Sequence, residues 1–287
     1  MDKFFIIANK TKDQNLEKTK AIAQFLELRG KKCGYIGIDR VFEDEKEVLS
    51  ISSKIEDDVD VIISLGGDGT LIQIADIASR KSIPLLGVNM GHLGYLCAVE
   101  KDKAFEAIER LINDDYEIEN RMLLSGETTL ASMKLDRVHA LNDIVIARKG
   151  TLGTIDIKVS VNGSHLYTCF ADGMIISTPT GSTGYNISAG GPIVAPYSDA
   201  IILTPICAHS LSVRPIVLSA NDVIEVELLG EVIKPNISAE VSFDGGKTYP
   251  VNAGDKVLVR RAATQAKMIK LSSKMFFEGL ERKMSDR

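Results

Sequence analysis

Asp68 is an acidic residue placed inside a glycine turn. A short apolar run, VIISL at 61–65, leads directly into GGDGT at 66–70, and a helical pattern follows. A strand, a glycine turn and a helix in this order direct free backbone N–H groups at an anion. An acid there would repel phosphate unless it accepts a proton from an attacking hydroxyl or holds a divalent cation. A plain turn, in which the carboxylate only accepts turn amides, is the alternative.

A second segment, TPTGSTGYN at 178–186 followed by GGP at 190–192, is rich in hydroxyl groups and glycine and contains no lysine or arginine. Its donors and acceptors suit a nucleobase edge, a ribose or a phosphate, and Tyr185 is available for stacking. A polar loop between strands is the structural alternative. Asn142 and Asp143, at the head of an apolar strand, could bond an exocyclic amine or a ribose diol, although such a pair is more often a plain turn.

Two halves of different character must position these residues. Up to about residue 118, short apolar runs alternate with helical periodicity, which predicts an α/β domain with a parallel sheet over residues 1–118. From 119 to 272, β-branched runs dominate and Asn162-Gly163 signals a hairpin, which predicts a β-rich, sandwich-like domain. The spacing of Phe276, Leu280 and Met284 predicts a helix over residues 273–287 that packs back on the first domain.

The composition excludes several classes of protein. A net charge of −5 argues against a nucleic-acid binder, which usually carries a basic surplus. The four cysteines form no CxxC pair, so a zinc site or a disulfide framework is not expected. No apolar run approaches the roughly 18 residues that span a membrane, and the start of the chain lacks a signal-peptide pattern. We therefore expect a cytoplasmic protein without membrane contact.

Taken together, the motifs resemble those of the NAD kinase family. They occur in the family's order and cover about half of the chain: GGDGT at 66–70, LGVNMGHLGYL at 86–96, LND at 141–143, DGMIISTPTGSTGYNISAGGP at 172–192 and TPICAHSLSVRPIV at 204–217. Two positions depart from the family's pattern. Asp143 stands where the family often has Glu, and Phe170 stands where a basic residue is frequent.

The resemblance implies a phosphoryl transfer from ATP, or in some members polyphosphate, to the adenosine ribose 2′-hydroxyl of NAD, giving NADP. It further implies a divalent metal cation such as Mg²⁺ and a homodimer or homotetramer. By resemblance Asp68 accepts the proton. The residues implied to bind the dinucleotide are Asp68, Gly69, Asn142, Asp143, Asp172, Thr183, Gly184, Tyr185, Asn186, Ile187 and Ser188. Because these residues come from both halves, a cleft between the two domains is the expected site.

Two other functions share parts of this pattern. A lipid kinase would contain the GGDGT turn, but it would also need an apolar or basic membrane-facing surface, and no such run is visible. A catalytically silent dinucleotide sensor would not need the acid at position 68.

Overall fold

The computed structural model describes residues 1–39, 42, 45–91, 94–97, 99–129, 134–150, 153–229, 237–272 and 280–281. The chain divides into two units. Unit 1 comprises residues 1–121 and the end of the chain from residue 264, and unit 2 comprises residues 122–263. The predicted boundaries lie at 118/119 and 272/273. Neither coincides with the observed division, at 121/122 and 263/264, and as boundaries of functional domains both stay predictions.

Unit 1 is built on a parallel sheet, as the alternation of apolar runs and helical patterns predicts. Its strands are β1 (Lys3–Asn9), β2 (Lys32–Ile38), β3 (Val61–Gly66), β4 (Leu85–Asn89) and β5 (Val99–Glu100). They pair in the order β2-β1-β3-β4, with β5 beside β4. The helices are α1 (Glu17–Glu27), α2 (Glu45–Ser52), α3 (Asp68–Arg80) and α4 (Ala104–Ile112). Because the strands are parallel, the segments that follow β1, β3 and β4 leave the sheet at one edge.

The apolar residues that predict these elements form the core of unit 1. Phe4 and Ile6 of β1 pack with Ile63 of β3, Ile22 of α1 and Ile108 of α4. Every residue of β3 and β4 is buried, which is typical of central parallel strands covered on both faces. The GGDGT turn therefore begins at the end of a fully buried strand.

Unit 2 consists of antiparallel strands in two sheets, and the predicted β-rich sandwich is confirmed. A strand from unit 1, β6 (Glu117–Thr129), leads into it and pairs with β7 (Lys134–Ala140). The remaining strands are β8 (Asp143–Gly150), β9 (Ile155–Val161), β10 (Ser164–Ala171), β11 (Gly173–Ser177), β12 (Ala200–Ile206), β13 (Ile216–Ser219), β14 (Ile224–Leu228), β15 (Ile237–Phe243), β16 (Lys247–Val251) and β17 (Lys256–Lys270). One sheet runs β10-β9-β14-β17 and the other β13-β12-β11-β8-β15-β16.

One apolar cluster joins the two sheets of unit 2. It includes Ile157 of β9 and Ile224 of β14 from the first sheet, and Ile146 of β8 and Met174 of β11 from the second. The Asn162-Gly163 turn joins β9 to β10 as predicted, with positive φ at both residues, which suits Asn and Gly. This sheet pairing places the start of β8 beside the end of β11, where the second polar segment begins.

The predicted C-terminal helix cannot be compared with the structure, because Phe276 and Met284 lie outside the described residues and Leu280 alone lies within them. Among the helices that the structure does describe, none is long and apolar enough to cross a membrane.

Candidate functional site

Asp68 is the first residue of α3 and follows Gly66 and Gly67 at the end of β3. Three backbone N–H groups donate hydrogen bonds to its carboxylate. Tyr95 N–H donates to Oδ2 at 2.7 Å, and the N–H groups of Leu96 and Cys97 donate to Oδ1 at 3.2 and 3.1 Å. The donors come from the loop after β4, not from the glycine turn itself. Since Oδ2 accepts only one of these backbone bonds, it is the oxygen to which a substrate hydroxyl can donate.

The Asp68 carboxylate constrains the residue at position 94 and affects the pKa of Cys97. A Cβ atom at Gly94 would overlap the Asp68 carboxylate, so this position requires the absence of a side chain. Cys97 is buried beside Asp68, and its burial together with the nearby negative charge raises the pKa of the thiol. The thiol is therefore protonated at neutral pH and does not compete with Asp68 as a base or nucleophile.

Gly94→Ala offers a test of this arrangement. If the Asp68 carboxylate acts as the predicted base, we expect turnover to fall by about 10²-fold or more, because the added methyl group displaces this carboxylate. Gly69→Ala is the contrasting variant, because a Cβ at Gly69 meets no atom within 4 Å. Its melting temperature should equal or exceed that of the wild type, since Ala favours a helix over Gly. Equal turnover of Gly94→Ala and wild type in a steady-state assay would contradict the prediction.

Lys12 is a residue of this site that the sequence patterns did not identify. It lies in the loop after β1, and its Nζ would be 2.7 Å from a Cβ at Gly67 and 3.7 Å from one at Gly91. Within the described ranges no carboxylate pairs with Lys12. A groove of about 550 Å³ opens beside it, lined also by Lys18, Met90 and Phe105. The only available signal was its position after an apolar strand, because ligand groups in α/β sheets gather at the carboxyl ends of strands.

In unit 2 the turn before β8 carries the second group of candidate residues. A backbone hydrogen bond connects this turn to the segment after β11: Thr178 N–H donates to the Asn142 carbonyl at 2.8 Å. A Cβ at Gly184 would lie 3.5 Å from Asn142 Nδ2 and 4.0 Å from Asp143 Oδ2. Asn142 Oδ1 is a buried acceptor without a hydrogen-bond partner among the described residues. Asn142, Asp143 and Gly184 are thus brought together, and the Asn142 side chain keeps one buried acceptor without a partner among the described residues.

The 178–188 segment folds as a 3-10 turn, Thr180–Thr183, followed by the short helix α5 (Tyr185–Ser188). Tyr185 is 48% exposed and Ile187 is 39% exposed, so both can contact a ligand. Asn186 is fully buried instead. Its amide donates to the carbonyls of Ser182 and Pro192, both at 3.0 Å, and accepts from Thr204 Oγ1 at 2.6 Å. The side chain of Asn186 therefore stabilises the loop. Thr183 is half-buried, and Ser188 is exposed.

Asp172 lies apart from the other candidate residues of unit 2. It precedes β11, whereas Ser177 at the other end of that strand pairs with Asp143. Five residues of strand separate the two ends by roughly 15 Å. The Asp172 carboxylate bonds Arg148 Nε at 2.9 Å. Within unit 2, the structure thus does not bring Asp172 to the Asn142–Gly184 group.

Electrostatics distinguish Asp143 from an ordinary surface acid. It is 6% exposed, and burial together with the neighbouring Asp244 carboxylate raises its pKa to about 7. Asp244 lies in the turn between β15 and β16. Its own burial raises its pKa to about 6, although three backbone hydrogen bonds and Lys247 favour the charged form. At neutral pH a carboxyl group of this site therefore carries a proton for much of the time.

Comparison with known proteins identifies the family. Residues 4–116 match the ATP-NAD kinase N-terminal domain and residues 141–271 match the ATP-NAD kinase C-terminal domain. An NAD kinase of Agathobacter rectalis is 43% identical over all of this chain and 99% of its own length. This chain belongs to the NAD kinase family. The predicted resemblance is confirmed, and so is the predicted class of enzyme, a phosphotransferase.

Solved structures agree with this assignment. An Archaeoglobus fulgidus NAD kinase in complex with ATP is 26% identical and superimposes with a TM-score of 0.76, covering 99% of this chain and all of its own. A yeast NADH kinase complexed with NADH superimposes with a TM-score of 0.85 at 21% identity, covering all of this chain and 88% of its own. The second similarity establishes the fold shared with NAD kinases.

Proposed function

We propose that the chain transfers the γ-phosphoryl group of ATP to the adenosine ribose 2′-hydroxyl of NAD, giving NADP. The observation that supports this function most directly is the Asp68 carboxylate, fixed by three backbone N–H groups at the mouth of a glycine turn. Phosphoryl transfer needs little covalent chemistry from the protein, so positioning and charge stabilisation carry most of the catalysis. The fixed carboxylate can position the attacking hydroxyl, and the N-terminus of α3 favours the charge of the phosphate.

In this proposal Asp68 accepts the proton of the 2′-hydroxyl as the oxygen attacks phosphorus. Phosphoryl oxygens gain charge in the transition state, which a divalent cation such as Mg²⁺ neutralises. In the part of the chain that the structure describes, no three His, Cys, Asp or Glu side chains converge on a possible metal site. A cation bound to the phosphates of ATP would not need such a cluster, because Mg²⁺ often binds substrate phosphates and only one or two carboxylates. Asp68 could supply one such carboxylate.

Lys12 supplies the positive charge that the GGDGT turn lacks. Its Nζ lies over Gly67 at the amino end of α3, where backbone N–H groups and the helix dipole also favour an anion. A lysine can bind phosphate as a point charge from a different loop as well as from within a glycine loop. We assign Lys12 to the phosphate groups of the donor.

Asn142, Asp143 and residues 183–188 form the proposed NAD-binding segments, in which the buried side chain of Asn186 supports the loop, and Gly69 lies at the phosphate turn. The exposed ring of Tyr185 suits stacking on a planar group. Asp172 and its partner Arg148 lie at the other end of β11, so a role for Asp172 in binding stays a prediction. The predicted boundaries 1–118, 119–272 and 273–287 likewise stay predictions for the functional domains.

Tyr185→Ala tests the stacking role. Stacking of a base on an aromatic ring contributes about 1–3 kcal/mol, so we expect the KM for NAD to rise about tenfold while the KM for ATP stays unchanged. Tyr197→Ala is a matched control, because Tyr197 is 64% exposed and lies outside residues 178–192. Initial rates measured against each substrate in turn decide the question. Unchanged constants for both substrates would assign Tyr185 to packing alone.

The activity itself is tested by incubating the chain with NAD, ATP and Mg²⁺ and detecting NADP with an NADP-specific dehydrogenase. Omitting each component in turn provides the controls. A silent sensor would bind NAD without forming NADP, and a lipid kinase would phosphorylate a lipid in vesicles but not NAD. Replacing ATP by polyphosphate in the same assay compares the two donors.

We further propose a cytoplasmic, self-associating enzyme. All four cysteines are unpaired, which supports a reducing compartment. Several large apolar side chains of unit 2 are exposed and would be covered by association with a second copy, namely Leu166, Phe170, Ile193, Leu211 and Val217. Light scattering would give the mass in solution, for which we expect a dimer or a tetramer.

A further inference from the structure

Asp244 lies behind the Asn142–Asp143 turn and holds it in place. Its Oδ2 accepts the Leu141 N–H at 2.7 Å, and its Oδ1 accepts the N–H groups of Asn142 at 2.7 Å and Asp143 at 3.1 Å. The Asp244 N–H in turn donates to the Asp143 carbonyl at 3.0 Å. A single carboxylate therefore fixes three consecutive residues, although it lies about 100 positions away in the chain.

The carboxyl groups of Asp143 and Asp244 are neighbours with unequal surroundings. Asp244 has three N–H donors and the nearby positive charge of Lys247, all of which stabilise its ionised form. The Asp143 carboxyl has no hydrogen-bond donor among the described residues. The facing segment, Ser177 to Ser188, contributes hydroxyls and Tyr185 but no charged side chain. When two carboxyls share a buried site, one of them retains a proton, and this asymmetry selects Asp143.

We propose that Asp244 is a positioning residue of the NAD site, and that it keeps the Asp143 carboxyl protonated so that this group donates a hydrogen bond to the dinucleotide. The inference rests on the proposed assignment of Asn142 and Asp143 to NAD. A buried carboxylic acid that stays neutral at pH 7 can act as such a donor. Asn142 Oδ1 beside it is an unpartnered acceptor, so the pair offers one donor and one acceptor side by side.

NAD binding is expected to weaken as the pH rises. The pKa of Asp143 is raised to about 7, so the donating form dominates below pH 7 and is lost as the pH rises. If only the protonated form binds, the apparent Kd scales inversely with its fraction, and Kd should rise about 100-fold from pH 6 to pH 9. The comparison uses NAD binding without ATP, because turnover would add the titration of other groups.

Calorimetric titration of the full chain with NAD at pH 6 to 9 is the test, with three variants. Asp143→Asn carries an amide that donates at every pH, so its Kd should not vary with pH. Asp244→Asn removes the neighbouring charge, so the midpoint of the wild-type dependence should move to lower pH. Asp255→Asn is the control, because Asp255 is also a buried turn carboxylate, bonded to Asn252 N–H at 2.7 Å, and should leave the dependence unchanged.

The outcomes separate this inference from the proposed function. A wild-type Kd that does not vary with pH, or a dependence that persists in Asp143→Asn, would overturn the protonated donor while NAD binding itself stands. An unchanged midpoint in folded Asp244→Asn would remove Asp244 from its assigned role. A wild-type chain that binds no NAD at any pH would overturn the proposed function together with the inference.

Discussion

Replacing Asp68 by asparagine is expected to lower kcat by about 10²–10⁴-fold, the usual contribution of a general base. NAD binding should persist, because the amide keeps the shape of the carboxylate. The amide nitrogen cannot accept a hydrogen bond, so part of the support from Tyr95, Leu96 and Cys97 is also lost. We therefore expect a modest drop in melting temperature alongside the loss of turnover. Single-turnover rates and NAD titration measure the two effects separately.

Asp76→Asn is the matched control for this variant. Asp76 lies on the same helix, α3, is buried, and bonds Arg80 Nε at 2.9 Å. Its replacement should lower stability by a similar amount, because it weakens a partly buried ion pair. Turnover at a temperature well below melting should stay near the wild-type value. If Asp68→Asn retained near-normal turnover under the same conditions, Asp68 would have no part in proton transfer.

Lys12→Met is expected to reduce kcat/KM for ATP by about 10–100-fold, because a hydrogen bond to a charged group contributes about 1.5–3 kcal/mol. The methionine side chain is similar in length but carries no charge. NAD binding measured without ATP should not change, since Lys12 is assigned to the donor phosphates alone. Steady-state kinetics with ATP varied at saturating NAD provide the measurement.

Two further variants make the test of Lys12 specific. Lys12→Arg should recover part of the activity, because the positive charge returns with a different geometry. Lys20→Met removes an exposed lysine of α1 and should leave the kinetics with ATP unchanged, apart from a small screened effect of net charge. Equal losses in Lys12→Met and Lys20→Met would show that the general charge of unit 1 matters and that Lys12 makes no specific contact.

Local patterns were sufficient to predict most of the fold. The apolar run at 61–65 corresponds to β3, and the helical pattern that follows it corresponds to α3, which begins at Asp68 within the glycine turn. Asn162-Gly163 forms the predicted turn between two antiparallel strands. Periodicity and turn chemistry act over a few residues, so a single sequence carries this information directly.

The sequence by itself thus determined the two structural classes, the glycine turn with its acid, and the polar segment near Tyr185. Only the tertiary structure decided which groups surround each acid. Backbone N–H groups of residues 95–97 donate to Asp68, and Lys12 Nζ lies beside Gly67. Asp244 accepts hydrogen bonds from the Asn142 turn. It also separated Asp172 from Asp143 by the length of β11. These contacts join segments that are far apart in the chain, and their partners are set by strand order and register, which no local pattern records.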